Sequence, residues 1–119
     1  AMTLGGLYNY SHGGAVGIIL PYVLEYNRRN PIVNEKLEYL SRVCQCNDIV
    51  EEIKKLKEKI NIPHCFKDMG LEEDVFKADF DFIVEHSMTG STTVNPAEIT
   101  QEEMAKMLNA VYYGKEIDF

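Results

Sequence analysis

From Gly14 to Asn27 the chain reads Gly-Ala-Val-Gly-Ile-Ile-Leu-Pro-Tyr-Val-Leu-Glu-Tyr-Asn, apolar nearly all the way round a helix. This segment constrains the fold more than any other. A helix with no polar face has to be covered from several sides, so it belongs at the centre of a helical assembly. Its apolar stretch, Ala15 to Leu24, is interrupted by Gly17 and Pro21 and falls short of the ~20 residues that span a bilayer. With no cationic leader ahead of it, a secretory signal is not expected either. Pro21 should kink the helix unless a neighbouring group satisfies the carbonyl it frees.

Helical patterns continue through the rest of the chain, and no strand pattern stands out. Asn30-Pro31 restarts the chain, because proline suits a first helical turn, and Leu37, Leu40 and Cys44 then recur on one face. Asp48 and Glu51 have the spacing of a capping box, followed by an apolar series Ile49, Ile53, Leu56 and Ile60. The charges Glu51, Glu52, Lys54, Lys55, Glu58 and Lys59 form the opposite, solvated face, with Glu51 and Lys55 as an i,i+4 pair. Asn61-Ile62-Pro63 ends that helix and opens a short one reaching Met69, with Gly70 as its stop. Leu71, Val75, Ala78 and Phe82 mark a further amphipathic helix, and the polar run from His86 to Asn95 reads as a loop. Thr100 and Glu103 form a second capping box, with Ile99 placed to staple onto Met104. The last helix then buries Met104, Met107, Leu108 and Val111, and Tyr112-Tyr113-Gly114 closes it. Met104, Met107, Tyr112 and Tyr113 read as a core stripe and not as a cofactor box. The pattern predicts an all-α bundle of about five to six helices.

Composition narrows the function classes. The chain has 119 residues, 45% of them apolar, enough for one sizeable core. Its net charge of -7 comes from acids and bases interspersed along helix faces. There is no basic stripe of the kind nucleic-acid binding needs. Three cysteines are an odd number, and Cys44-Gln45-Cys46 is too tight for a C-x-x-C metal or redox motif, so a reduced, cytoplasmic setting is expected. His64 beside Cys65 is a poor nucleophile pair, since adjacent helical residues point about 100 degrees apart. His86 falls at a helix C-terminus, where a capping role is expected in preference to ligation. Neither Gly5-Gly6 nor Gly13-Gly14 has the pattern of a phosphate loop.

The stretch before the apolar helix carries the chemistry. It reads Leu4-Gly5-Gly6-Leu7-Tyr8-Asn9-Tyr10-Ser11-His12-Gly13-Gly14, running into a helix that contains Leu20-Pro21-Tyr22-Val23 and ends at Asn27. Further blocks follow: Ile62-Pro63, Met69-Gly70-Leu71-Glu72-Glu73-Asp74, Met88-Thr89-Gly90, Asn95-Pro96-Ala97-Glu98-Ile99-Thr100 and Ala110-Val111-Tyr112-Tyr113-Gly114. In this order the six blocks resemble the iron-containing (group III) alcohol dehydrogenases, and the tail resembles the alcohol dehydrogenase half of bifunctional aldehyde/alcohol dehydrogenases. The resemblance implies that residues 1–119 are part of the C-terminal helical domain of a dehydroquinate synthase-like/iron alcohol dehydrogenase fold. In that family a nicotinamide cofactor, NAD or NADP, sits on an N-terminal Rossmann-like domain, and an Asp and three His hold one divalent iron.

Of those four ligands the resemblance places one here, His12, as a ligand for iron or zinc, with the others expected upstream of Ala1. Neutral imidazole suits such a metal. The bland alternative is a histidine at a helix start with a structural role. Gly13 and Gly14 are expected to let the backbone turn tightly there. Met2 and Met88 fall at nicotinamide- and substrate-adjacent positions, where the family has a His and a Cys. The family's Asn-Pro-Arg reads Asn95-Pro96-Ala97.

Two functions from different classes follow. In one, the chain is the C-terminal part of a metal-dependent alcohol dehydrogenase that acts on small alcohols or aldehydes and is inactive by itself. In the other it is a non-catalytic helical interaction or oligomerisation module from a truncated or split gene. A small metal-binding protein with intermolecular ligands is a weaker third reading. On either of the first two, Ala15 to Leu24 needs cover, so the isolated chain is expected to self-associate. Sedimentation giving a compact monomer at high concentration contradicts that expectation.

Overall fold

Helix α2 (His12–Asn27) touches three others: α1 (Met2–Tyr8), α4 (Ile49–Lys59) and α6 (Gln101–Tyr113). In the computed structural model, which describes residues 1–119, α5 (Glu73–Ser87) lies against α1 and α6, while α3 (Pro31–Val43) packs mainly on α4. A short 3-10 turn at Gly90–Val94 precedes α6, and there is no strand. The architecture is therefore all-α, with six helices and an α3–α4 hairpin carried on the outer side of α2. Seventeen buried residues form one core cluster, drawn mainly from α2, α5 and α6. Ile18, Phe66 and Phe76 are each no more than 2% exposed, worth about 2 kcal/mol apiece relative to leaving them in water.

The helix ends follow local chemistry. Asn30 caps α3, its Oδ1 accepting from the Ile32 and Val33 amides at 2.9 and 3.3 Å. Asp48 caps α4 through the Val50 amide at 3.1 Å, without the reciprocal Glu51 bond of a full capping box. The α6 box is complete: Thr100 Oγ1 accepts from Glu103 N at 3.1 Å, and Glu103 Oε1 accepts from Thr100 N at 3.1 Å. Ile99 packs against the core beside Met104, and Gly114 ends the helix in the left-handed region with φ 79.

The structure adds a first helix to the expected set and corrects several expectations about the others. Met2–Tyr8 is a seven-residue helix despite Gly5-Gly6, because it docks on α2 and α5. Residues 63–69 form consecutive turns and not a short helix: the Phe66 and Lys67 amides donate to Val111 and Tyr112 carbonyls at the end of α6. On α5 the buried face carries Phe76, Ile83 and Val84, while Val75 and Phe82 are 43% and 53% exposed and Ala78 is also exposed. The Phe76 ring stacks on Tyr112 with centroids 4.1 Å apart, which fixes that rotation.

The α3–α4 hairpin departs in the same way. Leu37 and Ser41 are buried on α3, whereas Leu40 and Cys44 are exposed. Val50 and Lys57 are buried on α4, whereas Leu56 and Ile60 are 54% and 57% exposed. The ion pairs on α4 run i,i+3, Glu51 to Lys54 and Glu52 to Lys55, and not from Glu51 to Lys55.

Lys57 packs beside the turn of α2 that holds Pro21. The helix runs unbroken through the proline, which leaves the Gly17 carbonyl without its helical donor. Lys57 Nζ donates to the adjacent Ile18 carbonyl at 2.9 Å, and the Tyr22 ring lies 5.7 Å from the ammonium. A buried lysine from α4 thus binds one carbonyl along from the freed one and ties α4 to the proline turn. Gly17 assists, since a Cβ there would come within 3.2 Å of Ile62 Cδ1 and push away the segment after α4.

Burial lowers the Lys57 pKa from 10.5 to about 8. Between those values the unfolded chain binds the proton and the folded chain does not, so this group's contribution to stability rises with pH through that window. It is fully present above the unfolded value and lost as pH falls through about 8. Comparing the chain with its Lys57→Met variant isolates the effect from tyrosine and cysteine titrations common to both. The wild type should gain on the variant between pH 8 and 10, by at most about 1.4 kcal/mol per pH unit. Denaturant unfolding at several pH values measures this; a constant difference would refute it. Thr100→Ala, in contrast, should cost about 1 kcal/mol through loss of the α6 cap, read as a lower denaturation midpoint.

Candidate functional site

The elbow between α1 and α2 is set by a few local bonds. Asn9 ends α1 in the left-handed region at φ 57, and the Tyr10 amide returns to the Gly5 carbonyl at 3.1 Å. Ser11 caps α2, its Oγ accepting from Gly14 N at 3.1 Å. A Cβ on Gly14 would lie 2.8 Å from that Oγ. Gly14 thus serves by leaving room for the cap, and not through a tight turn. Tyr8 donates to Asp79 Oδ2 at 2.9 Å, and Tyr10 stacks on Phe66 with centroids 6.0 Å apart. These contacts hold the elbow against α5 and the core, and His12 stands exposed as the first residue of α2.

His12 opens on a cavity of about 500 Å³. One wall is apolar: Val16, Ile19 and Val23 from α2 face Met104, Met107 and Leu108 from α6. Met2, Thr3 and Leu4 of α1 line it beside His12, and His86, Ser87, Thr89 and Thr92 form a polar edge. Met88 is not among the lining residues; it packs half-buried against the core cluster. The structure therefore brings His12 and Met2 to one cavity and leaves Met88 behind its wall.

Two features of the cavity go beyond or against the reading of the sequence. Asn27 and Asn95 pair reciprocally through their amides at 3.1 and 2.7 Å, and Asn95 Nδ2 also donates to Ala97 O at 2.6 Å. Asn27 is 7% exposed, so the pair is a satisfied polar contact in the cavity wall. It joins the end of α2 to the loop before α6. The signal was present, since each Asn lies in a recognisable block, but nothing along the chain pairs positions 68 apart. Tyr26 reinforces the same junction, donating to Glu98 O at 2.6 Å with Arg29 3.6 Å over its ring. The second feature is His86. It lies in the last turn of α5 but does not cap it, because its Nδ1 is 2.9 Å from Thr3 Oγ1 on α1.

As a donor, His12 is of the right type for iron or zinc, but donor number decides whether a site exists. No group of three or more His, Cys, Asp or Glu side chains is placed to hold a metal ion, and such sites take three or four protein ligands. The chain offers one ligand and not a centre. His64 and Cys65 form no nucleophile pair. Burial pushes the Cys65 thiol up, and His64 is engaged by the Tyr22 hydroxyl, 3.3 Å from its Nε2 and donating to its carbonyl at 2.8 Å. All three cysteines are free, with Cys65 buried and Cys44 exposed. No helix is long and apolar enough to cross a membrane.

Comparison with known proteins agrees with this geometry. The C-terminal model of the Fe-containing alcohol dehydrogenase family matches residues 1–112. The chain is similar to the NADPH-dependent butanol dehydrogenase of Clostridium saccharobutylicum, 31% identical over 127 residues that cover 100% of this chain and 33% of that protein. It is also 30% identical over 122 residues to the 1,3-propanediol dehydrogenase of Klebsiella pneumoniae, covering 94% of this chain and 30% of that protein. Similarity to the lactaldehyde reductase of Escherichia coli (strain K12) is 28% over 123 residues, with 94% and 31% covered. The chain thus spans about a third of the length of the curated relatives it matches. The family match, together with the position of His12 at the head of α2, establishes that the chain belongs to the Fe-containing alcohol dehydrogenase family, in its C-terminal helical region.

Proposed function

We propose that this chain is the C-terminal part of an iron-dependent, NAD(P)-linked alcohol dehydrogenase that interconverts small alcohols and aldehydes, and that it is inactive by itself. The observation that carries the reading is the placement of exposed His12 at the mouth of a cavity with an apolar wall. His12 is the ligand this chain would give to a divalent iron or zinc ion, whose remaining ligands come from a preceding part of the protein. When bound, such an ion supplies Lewis-acid stabilisation of the alcohol oxygen and the nicotinamide accepts the hydride. The chain's own residues supply the surroundings. Val16, Ile19, Val23 and Leu108 exclude water from the space beside His12, and the Asn27–Asn95 pair holds the two sides of that space together. Met2 stands next to His12 in the cavity and is the residue of this chain assigned to the nicotinamide side. Met88, behind the wall, affects the substrate space through packing.

The exposed face of α2 supports the same assignment. Val16 and Leu20 are 36% and 39% exposed at the centre of an otherwise apolar helix. That face is where the rest of the enzyme docks, and in its absence the isolated chain self-associates through it.

The test is metal content and alcohol oxidation, measured on this chain and on a polypeptide extended upstream to include a nucleotide-binding domain. The extended form should hold about one iron or zinc per chain and reduce NAD(P), while this chain alone does neither. His12→Ala should lower both metal content and activity at least ~10-fold, since loss of even a supporting metal contact costs that much. A metal-free, inactive extended form would leave a non-catalytic interaction module as the better description.

A further inference from the structure

The cavity holds a second imidazole that the proposed function leaves unused. His86 Nδ1 lies 2.9 Å from Thr3 Oγ1, and its ring stacks on Phe82 with centroids 5.5 Å apart and planes 19° from parallel. Thr3 is 8% exposed, whereas His86 reaches solvent, and both line the cavity shared with His12. The threonine is thus buried in the cavity wall while the ring touches water.

Oxidation of an alcohol removes a hydride from carbon and a proton from oxygen. The hydride goes to the oxidised nicotinamide; the proton needs a route out of a water-poor space. Apart from His12, the titratable side chains at this cavity are His86 and Tyr26. Tyr26 is committed to the Glu98 carbonyl and Glu103, with its pKa raised by burial. Helix α1 carries no charged side chain, and on α5 the nearest acid along the chain is Glu85, with Asp79 engaged by Tyr8. The one polar side-chain partner recorded for His86 is therefore the Thr3 hydroxyl.

We propose that Thr3 and His86 form the proton relay of this site, a reading that rests on the dehydrogenase assignment above. In alcohol oxidation the substrate hydroxyl proton passes to Thr3 Oγ1 as the Thr3 proton passes to His86 Nδ1. The imidazolium then releases its Nε2 proton to water, and the neutral ring left with Nδ1–H exchanges through water back to the Nε2–H tautomer before the next turnover. Aldehyde reduction runs the same transfers in reverse. Phe82 and Thr3 fix the ring from two sides, so the route is positioned before substrate arrives. His86 acts through the Thr3 hydroxyl and is a positioning and proton-exchanging residue.

The test uses the upstream-extended, metal-loaded enzyme with 1-butanol and NAD or NADP, beside NMR of the histidine ring nitrogens in this chain. His86→Gln and Thr3→Val should each lower kcat for oxidation ~100-fold with KM little changed, and both should remove the acid-side inflection of the kcat profile. Thr3→Ser should keep the rate, and added imidazole should restore it in His86→Gln but not in Thr3→Val. In the NMR spectrum, Thr3→Val should shift the His86 Nδ1 resonance and leave that of His12 in place. An active, metal-bound enzyme whose rate and pH profile survive both substitutions within twofold would overturn the relay and leave the dehydrogenase assignment standing. A wild-type extended enzyme with neither metal nor activity would overturn both.

Discussion

Helix α2 has no polar face to give to water, and the rest of the molecule is arranged around that constraint. α1, α4 and α6 each cover part of it, and burial of Ala15, Ile18, Tyr22 and Tyr26 forms the part of the core that α2 contributes. A proline in its middle should make such a helix hard to bury, because burial leaves no water for a carbonyl that has lost its donor. The lysine that α4 sends to the neighbouring Ile18 carbonyl ties the α3–α4 hairpin to α2 at that turn. A buried ammonium is costly, and its depressed pKa is the measure of that cost. The polar contact and the covering of α2 are therefore one arrangement.

The ends of α2 determine what the fold presents. At its start, Ser11 and Gly14 fix the first turn and with it the direction of His12. At its end, Tyr26 and Asn27 reach across to Glu98 and Asn95, so the loop before α6 is held at a set distance from α2. The cavity is the space between those two attachments, and its volume depends on both. The stacking of Phe76 on Tyr112, and the bond from Tyr112 to the Leu71 carbonyl at 2.6 Å, brace the opposite side of α6.

Surface character follows from the same arrangement. α3 packs mainly on α4, so Tyr39, Leu40 and Val43 remain exposed, and Leu56 and Ile60 of α4 join them. Along α2 the covering stops at Val16 and Leu20. At the head of that helix the exposed His12 stands beside an apolar wall on an anchored elbow.

Much of this was legible along the chain. The helix starts at Asn30, Asp48 and Thr100, the stop at Gly114 and the core face of α6 all depend on residues within a turn or two of one another. Local hydrogen bonding and spacing therefore sufficed. The family resemblance was equally sequence-borne, since six short blocks keep their order. What sequence could not settle was rotation and reach. On α4 and α5 apolar residues occupy more than one face, so periodicity alone selected Leu56, Ile60, Val75 and Phe82 where packing buries Val50, Lys57, Phe76 and Ile83. The turns of residues 63–69, the Asn27–Asn95 pair and the Thr3–His86 contact depend on partners 40 or more positions away. Sequence determined where helices begin and end, because caps are local; tertiary structure decided which faces are buried and which polar groups meet, because those depend on the neighbours that three-dimensional packing supplies.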